Sequence, residues 1–305
     1  MRVLVTGATG LIGSAVTREL LARDDDVIGL TRDPAGATAA RPEVTWHGWD
    51  AAHEQPPAAA LAGVDAVVNL VGETIAQRWT GAAKDRIRTS RIAATQNLVK
   101  AIAAAAERPR VMISQSAVGF YGDGGAAIID ESHGPGTSFD AQLCADWEAA
   151  AREAGQSEVR LVVLRTGLVL DRSSGLLKEL LLPFKLGLGG PLAGGNQYMP
   201  WIHLDDEVGL ILWAVDQVDV DGALNATAPA PVTNRDFAKA LGRVLSRPAV
   251  FPTPKLVLRL RYGSELADTA SGGSRAVPSR AGELGYEFKY RDVEEALRAA
   301  VAAGA

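Results

Sequence analysis

Two groups of residues in this 305-residue chain have the types and spacing for chemistry. The first is a glycine triplet, Gly7, Gly10 and Gly13, within the run VLVTGATGLIG. Gly7 lets a chain leaving a strand turn sharply, Gly10 lets backbone come close to a pyrophosphate, and Gly13 lets helix and strand pack tightly. Backbone around Thr9, Leu11 and Ile12 would then face phosphate oxygens with the positive end of a helix dipole behind it. The second group is Ser114-Gln115-Ser116, followed by Tyr121 in the run GFYGD. A phenol gives a proton to a carbonyl, or takes one from an alcohol, when a neighbouring cation lowers its pKa. The bland reading stands beside it: the serines cap a strand end and Tyr121 packs.

The elements that must position these residues alternate regularly. Val3 to Val5 predicts a first strand, and Leu11 through Leu21 an apolar-faced helix. Val27 to Leu30 predicts a second strand, ending Leu30-Thr31-Arg32-Asp33. In a dinucleotide fold this end meets the adenosine ribose, where a carboxylate suits NAD and an arginine suits a 2′-phosphate. Arg32, helped by Thr31, is expected to clamp a 2′-phosphate, which predicts NADP(H). The alternative makes Arg32 a solvated loop residue and gives the ribose to Asp33. Val44 to Trp46 follows as a third strand, with Asp50 beyond it at the adenine edge. Ala66 to Leu70 is a buried-strand signal running into Val71 and Gly72, so Leu70, Val71 and Gly72 are expected to line the cofactor. One long helix is expected from about Thr80 to Ala106, then a strand at Val111 to Ile113 that delivers Ser114 to the cofactor. A helix over Phe139 to Ala154 and a strand over Val159 to Leu164 complete the series. Such alternation predicts a doubly wound parallel sheet of Rossmann type, with ligands beyond the carboxyl ends of its strands.

After Leu170 the alternation stops. An apolar helix is expected over Leu176 to Leu188, then glycine turns, then Pro200-Trp201-Ile202-His203-Leu204-Asp205-Asp206. There Asp205 or Asp206 is expected to cap a helix over Glu207 to Val215, and His203 to hydrogen-bond structurally. Further helices are expected near Asn234–Leu245, Pro254–Tyr262 and Val293–Val301. The organisation that follows is an α/β sheet domain over 1–170, rejoined by 205–229, with a small mixed α/β substrate lobe from 171–204 and 230–305.

Composition excludes several classes. A net charge of −5 with no basic run argues against a nucleic-acid partner. Seven lysines against 24 arginines, beside abundant alanine, reflect compositional bias more than recognition. No apolar run reaches spanning length, and the N-terminal stretch is too glycine-broken for a signal peptide, so a cytoplasmic protein is expected. Cys144 is the single cysteine, which rules out an internal disulfide; on an apolar helix it is expected to be core. No metal-ligand spacing occurs.

With these residues in place, the chain resembles the extended and atypical short-chain dehydrogenase/reductase superfamily. Within it the chain is similar to the "epimerase family protein" subgroup, relatives of nucleotide-sugar epimerases. The resemblance rests on VTGATGLIG, on VVNLVGETI followed by RW, on the TSRI run at Thr89 to Ile92, and on SAVGFYG, DWE, LRTGLVL and PWIHLDD. Near the C-terminus it rests on ELADTASGGSR, VPSRAGELGYEF and EEAL. It implies a Rossmann domain for NADP(H), a cleft for a small-molecule substrate under a C-terminal lobe, and a homodimer through the helix near Ile87 to Ile102.

The chain departs from that superfamily at its catalytic signature, Tyr-x-x-x-Lys, because no tyrosine is followed four residues later by lysine. With Glu148 aligned to the acidic residue that follows the motif, the tyrosine position falls on Asp140 and the lysine position on Cys144. The superfamily's serine falls near Ala117, beside Ser116. Tyr121, Ser116 and Asp140 therefore stand as the candidate proton-transfer residues. Two readings result: an epimerase-like oxidoreductase with non-standard catalytic residues, or a cofactor-binding sensor or scaffold with little turnover.

Overall fold

The computed structural model describes residues 1–302, so the last three residues of the lobe expected over 230–305 lie outside the described residues. Its centre is a seven-stranded sheet. The strands are β1 (Arg2–Thr6), β2 (Asp26–Thr31), β3 (Thr45–Gly48), β4 (Ala66–Asn69), β5 (Val111–Ala117), β7 (Arg160–Thr166) and β11 (Gly222–Ala226), with the two-residue β6 (Ile128–Ile129) outside the sheet. Their order is β3-β2-β1-β4-β5-β7-β11, and every pairing is parallel. The order reverses between β1 and β4, and the crevice that opens there carries the glycine turn.

Central parallel strands are covered on both faces, so they are apolar without interruption. Val3 and Val5 of β1 point into one core with Val68 and Ile113. Leu4 points into the other with Val67 and Met112. The first face is covered by α1 (Leu11–Ala22) and α7 (Leu204–Asp216), the second by α4 (Ile92–Ala104). Each fully buried aliphatic side chain contributes about 1.5–3 kcal/mol, which is why β1 after Arg2, and β4, carry no polar residue before Thr6 and Asn69. The remaining sheet helices are α2 (Pro34–Ala40), α3 (Gly81–Thr89) and α5 (Phe139–Arg152).

The single helix expected over 80–106 is two, α3 and α4, broken at Ser90–Arg91. The halves serve different cores: Ile87 packs with Trp79 and Leu143, whereas Leu98, Val99 and Ile102 pack on the sheet. Ser90 fixes the break, its hydroxyl donating to the Ile87 carbonyl at 3.0 Å and accepting from the Glu73 amide at 3.0 Å. β5 also outruns its expected end, so Ser114 and Ser116 are strand residues.

A second core lies beyond the sheet. It gathers Leu170 of β8 (Leu168–Leu170), Leu177 and Phe184 of α6 (Gly175–Lys185), Met199 of β9 (Tyr198–Met199) and Trp201 of β10 (Trp201–His203). β12 (Val232–Thr233), α8 (Asn234–Val244) and α12 (Val293–Ala302) close it. Between them run α9 (Lys255–Tyr262), α10 (Ser264–Thr269), β13 (Arg275–Ala276) and α11 (Ser279–Glu283). The capping expected of Asp205 or Asp206 falls to His203, whose Nδ1 accepts from the Asp205 amide at 3.1 Å. Asp206 instead accepts from the Lys289 and Tyr290 amides at 2.7 and 2.9 Å, and Asp205 pairs with Lys289, so both carboxylates tie the C-terminal segment to α7.

Candidate functional site

At the head of β1, Gly7 has φ +65°, and a Cβ there would stand 2.8 Å from the Leu70 carbonyl oxygen. A Cβ on Gly13 would stand 2.2 Å from the Gly7 carbonyl oxygen, so α1 approaches the turn closely only because residue 13 is glycine. Gly10 caps α1 with no side chain over the helix end, and the first-turn amides of Leu11, Ile12 and Gly13 have no intrahelical acceptor. Thr9 and Gly10 are exposed at the tip of the turn. This is a cradle for an anion.

Next along the crevice, Asp33 is spent on α2, accepting from the Gly36 amide at 3.0 Å. Arg32 is exposed, and among the described residues it makes no hydrogen bond or ion pair, whereas the Thr31 hydroxyl accepts from the Asp33 amide at 3.2 Å. Asp50 is exposed past β3 and pairs with His53. Thr6 fastens the β4 end: its hydroxyl accepts from the Leu70 and Val71 amides at 3.0 and 3.2 Å and donates to Asn69 at 2.9 Å. Asn69 in turn donates to Thr95 at 3.0 Å and to Ser114 at 3.4 Å, which seats Ser114 below the crevice floor. Gly72 is exposed at the end of this run. The free arginine, the open helix end and the glycine cradle fit a dinucleotide carrying a 2′-phosphate.

The hydroxyl group falls into two places. Ser116 donates to Glu148 at 2.9 Å, and Glu148 also receives two hydrogen bonds from Arg165, at 2.9 and 3.0 Å. Arg165 donates a third to the Tyr121 phenol at 2.9 Å, and Tyr121 donates to Asn225 at 2.7 Å. The guanidinium lies 3.6 Å from the Phe120 ring centroid. Ser116, Tyr121, Glu148 and Arg165 are all buried, and they bolt β5, β7, β11 and α5 together. Burial pushes the phenol above its ordinary value, and the Arg165 charge offsets that only in part.

Asp140 is different. It sits in the first turn of α5, 7% exposed, and its Oδ1 has no hydrogen-bond partner among the described residues. Burial raises its pKa, with the Ser138 hydroxyl and the first-turn amides pulling the other way. Its Oδ2 stands 3.1 Å from where a Cβ on Gly119 would be, so Gly119 makes room for it. Asp140 lines a cleft of about 620 Å³ between the sheet's carboxyl edge and the second core, alongside Val118, Phe139, Leu168 and Tyr198. Cys144, one turn further, is buried core, its thiol pushed up to about 12 by burial.

Arg91 was not singled out by the sequence. The break between α3 and α4 places its guanidinium over the Trp147 ring at 5.2 Å, close enough to Gly72 that a Cβ there would stand 3.1 Å from it. Among the described residues its guanidinium donates to the Ile87 carbonyl at 3.3 Å, and burial lowers its pKa while the nearby Cys144 and Glu73 raise it. The only sequence signal was an arginine next to the serine of the TSRI run. Glu207 was missed as well: fully buried on α7, it accepts from Thr166 at 2.7 Å, and burial raises its carboxyl to about 7.

Residues 3–226 match the family model described as the NAD dependent epimerase/dehydratase family, and residues 253–300 match a domain of unknown function, DUF1731. An epimerase family protein of Mycobacterium tuberculosis, MT2273, is 42% identical over 97% of this chain and 96% of its own length. The crystal structure of human epimerase family protein SDR39U1 with NADPH superposes with a TM-score of 0.90 at 37% identity, covering 99% of this chain and 100% of that one. A nucleoside-diphosphate sugar epimerase of Corynebacterium glutamicum is 31% identical, with a TM-score of 0.77, covering 97% of this chain and 57% of that one. Among the described residues no helix is long and apolar enough to cross a membrane. The glycine cradle at the switch point of a parallel seven-stranded sheet, and matches along nearly the whole length, place this chain in the NAD-dependent epimerase/dehydratase family, among its epimerase family proteins.

Proposed function

We propose that this chain is an NADP(H)-dependent, epimerase-like oxidoreductase for a small molecule, and that Asp140 holds the transferable proton. Gly7, Thr9, Gly10, Leu11, Ile12 and Gly13 hold the pyrophosphate through backbone and helix end. Arg32 and Thr31 hold the 2′-phosphate, and Asp50 borders the adenine. Leu70, Val71, Gly72 and Ser114 form the floor toward the nicotinamide. The NADPH in the human relative's structure and the partner-free Arg32 both support that cofactor. When bound, it supplies or accepts a hydride at a substrate carbon.

The observation that carries the proposal is Asp140 itself, a buried carboxyl that lines the cleft with no cationic partner among the described residues, its Oδ1 without a hydrogen bond. Burial raises the Asp140 pKa, so the carboxyl holds its proton to higher pH than an exposed aspartate does. A substrate carbonyl in the cleft that reaches this carboxyl would receive the proton, and an alcohol would give one up. Arg91, between Gly72 and Cys144, brings the fixed cation that Cys144 cannot. Tyr121 and Ser116 hold Arg165 and Glu148 and with them the strand ends.

The test is calorimetric titration with NADPH, NADP+, NADH and NAD+, on the natural chain and on Arg32→Ala, followed by turnover assays with Asp140→Asn. The proposal expects the phosphorylated pair to bind tightly, Arg32→Ala to lose that preference, and Asp140→Asn to keep NADPH while losing activity. The commitment of Tyr121 and Ser116 to a buried network favours a second reading, a cofactor-binding sensor. Turnover absent across a broad panel, with one redox form bound far more tightly, would select it.

A further inference from the structure

The cleft at Asp140 has the volume of a small-molecule site, about 620 Å³. Val118, Phe139, Leu168, Leu176, Leu192 and Met199 supply its apolar walls. Its titratable lining is entirely acidic: Asp123, Asp140, Glu265 and Asp268, with no lysine or arginine. Of the cations just outside, Lys84, Lys255 and Arg259 are tied to carboxylates. Lys84 lies 4.7 Å from the Phe139 ring centroid but is tied to Glu265 at 2.6 Å. Lys255 and Arg259 are tied to Asp268 at 3.0 and 2.9 Å. Arg275, with no carboxylate partner among the described residues, packs on the Tyr198 ring, 5.2 Å from its centroid, and does not line the cleft. Asp123 and Asp140 have no cationic partner among the described residues; Asp123 accepts from the Gly125 and Gly273 amides, each at 3.2 Å. Of the helix starts at the cleft, only that of α6, beside Leu176, has neither a capping side chain nor an acid in its first turn. That of α5 carries Asp140 in its first turn, and that of α8 is capped by the Thr233 hydroxyl, which accepts from the Asp236 amide at 3.2 Å.

A diphosphate leaving water needs cations beside any single open helix start, and the lining supplies none, while the Asp123 carboxylate, without a cationic partner, repels it. We propose that this cleft takes an uncharged, mainly apolar molecule with a carbonyl or hydroxyl oxygen placed at Asp140, and that it rejects nucleoside diphosphates. The inference rests on the reading of the chain as an NADP(H) enzyme and names its substrate class. It separates the chain's cleft chemistry from what the name of its Corynebacterium glutamicum relative describes.

The experiment is calorimetric titration of the full chain, cofactor-free and NADPH-saturated, with four probes. Acetophenone and tetralone are neutral ketones, acetylbenzoate adds a carboxylate to the acetophenone body, and UDP-glucose carries the diphosphate. The expected result is binding of both ketones, acetylbenzoate weaker than acetophenone by about tenfold or more, and no UDP-glucose binding. Leu176→Arg, on the wall, should reverse the order of acetophenone and acetylbenzoate. Should that variant fail to fold, Glu265→Gln frees Lys84 and should strengthen acetylbenzoate alone. Binding of UDP-glucose, equal binding of acetylbenzoate and acetophenone, or binding of neither ketone overturns the proposal. Absence of NADPH binding would remove the underlying enzyme reading, while the cofactor-free titrations still decide the charge selectivity of the cleft.

Discussion

Two carboxylates on the same helix, Asp140 and Glu148, live under opposite rules. Glu148 has every oxygen occupied, by Ser116, Arg165 and Arg152. Asp140, two turns earlier, lines a cleft with its buried Oδ1 lacking any partner and has no cation within ion-pair distance among the described residues. A compensated buried charge serves structure, because removing either partner strands the other. An uncompensated one costs stability and is retained where its proton is useful. The contrast teaches that hydroxyls and phenols at a strand end are not proton carriers by type alone. Their partners decide.

The largest effect should come from breaking the compensated site. Glu148→Ala leaves Arg165 buried and unpaired, and chemical denaturation should record a loss of about 3–5 kcal/mol. Glu207 sharpens the comparison as a third case, buried with one hydroxyl partner. Burial lifts its carboxyl from 4.5 to about 7, so across that window the native state holds a proton that the unfolded chain has released. Stability should therefore fall as pH rises through the window, by on the order of 3 kcal/mol in all, and Glu207→Gln should flatten that slope in denaturation curves taken at successive pH values. Tyr121→Phe removes one acceptor from Arg165 and one donor to Asn225, and should cost about 1–3 kcal/mol with NADPH affinity unchanged by calorimetry. Asp140→Asn should have the smallest effect on stability and the opposite sign. It removes a carboxyl that the fold holds against its charged form, so thermal unfolding above neutral pH should show a gain of about 1 kcal/mol.

Much of the cofactor end was legible because local rules govern it. Strand, glycine turn and helix are neighbours in sequence, and Gly7 and Gly13 do what backbone geometry requires of them. Arg32 and Asp33 were ambiguous in sequence, since either suits the end of a second strand; the capping of α2 by Asp33 leaves Arg32 free. The catalytic end was far less legible. Arg165 and Glu148 are 17 residues apart on different elements, so their pairing depends on α5 packing against β7. Arg91 owes its position to a helix break that an unbroken apolar stripe concealed. Asp140 looked like an ordinary first-turn carboxylate until alignment with the missing tyrosine drew attention to it. Glu207 looked like one as well, for nothing in its neighbourhood marks a buried position.

The most direct measurement is a carbon-13 NMR titration of the side-chain carboxyls, with Asp140 assigned by its loss in Asp140→Asn. The account predicts that Asp140 titrates clearly above an ordinary aspartate and that its resonance shifts when a neutral ketone fills the cleft. An Asp140 that titrates at or below the ordinary value, indifferent to what fills the cleft, would contradict it.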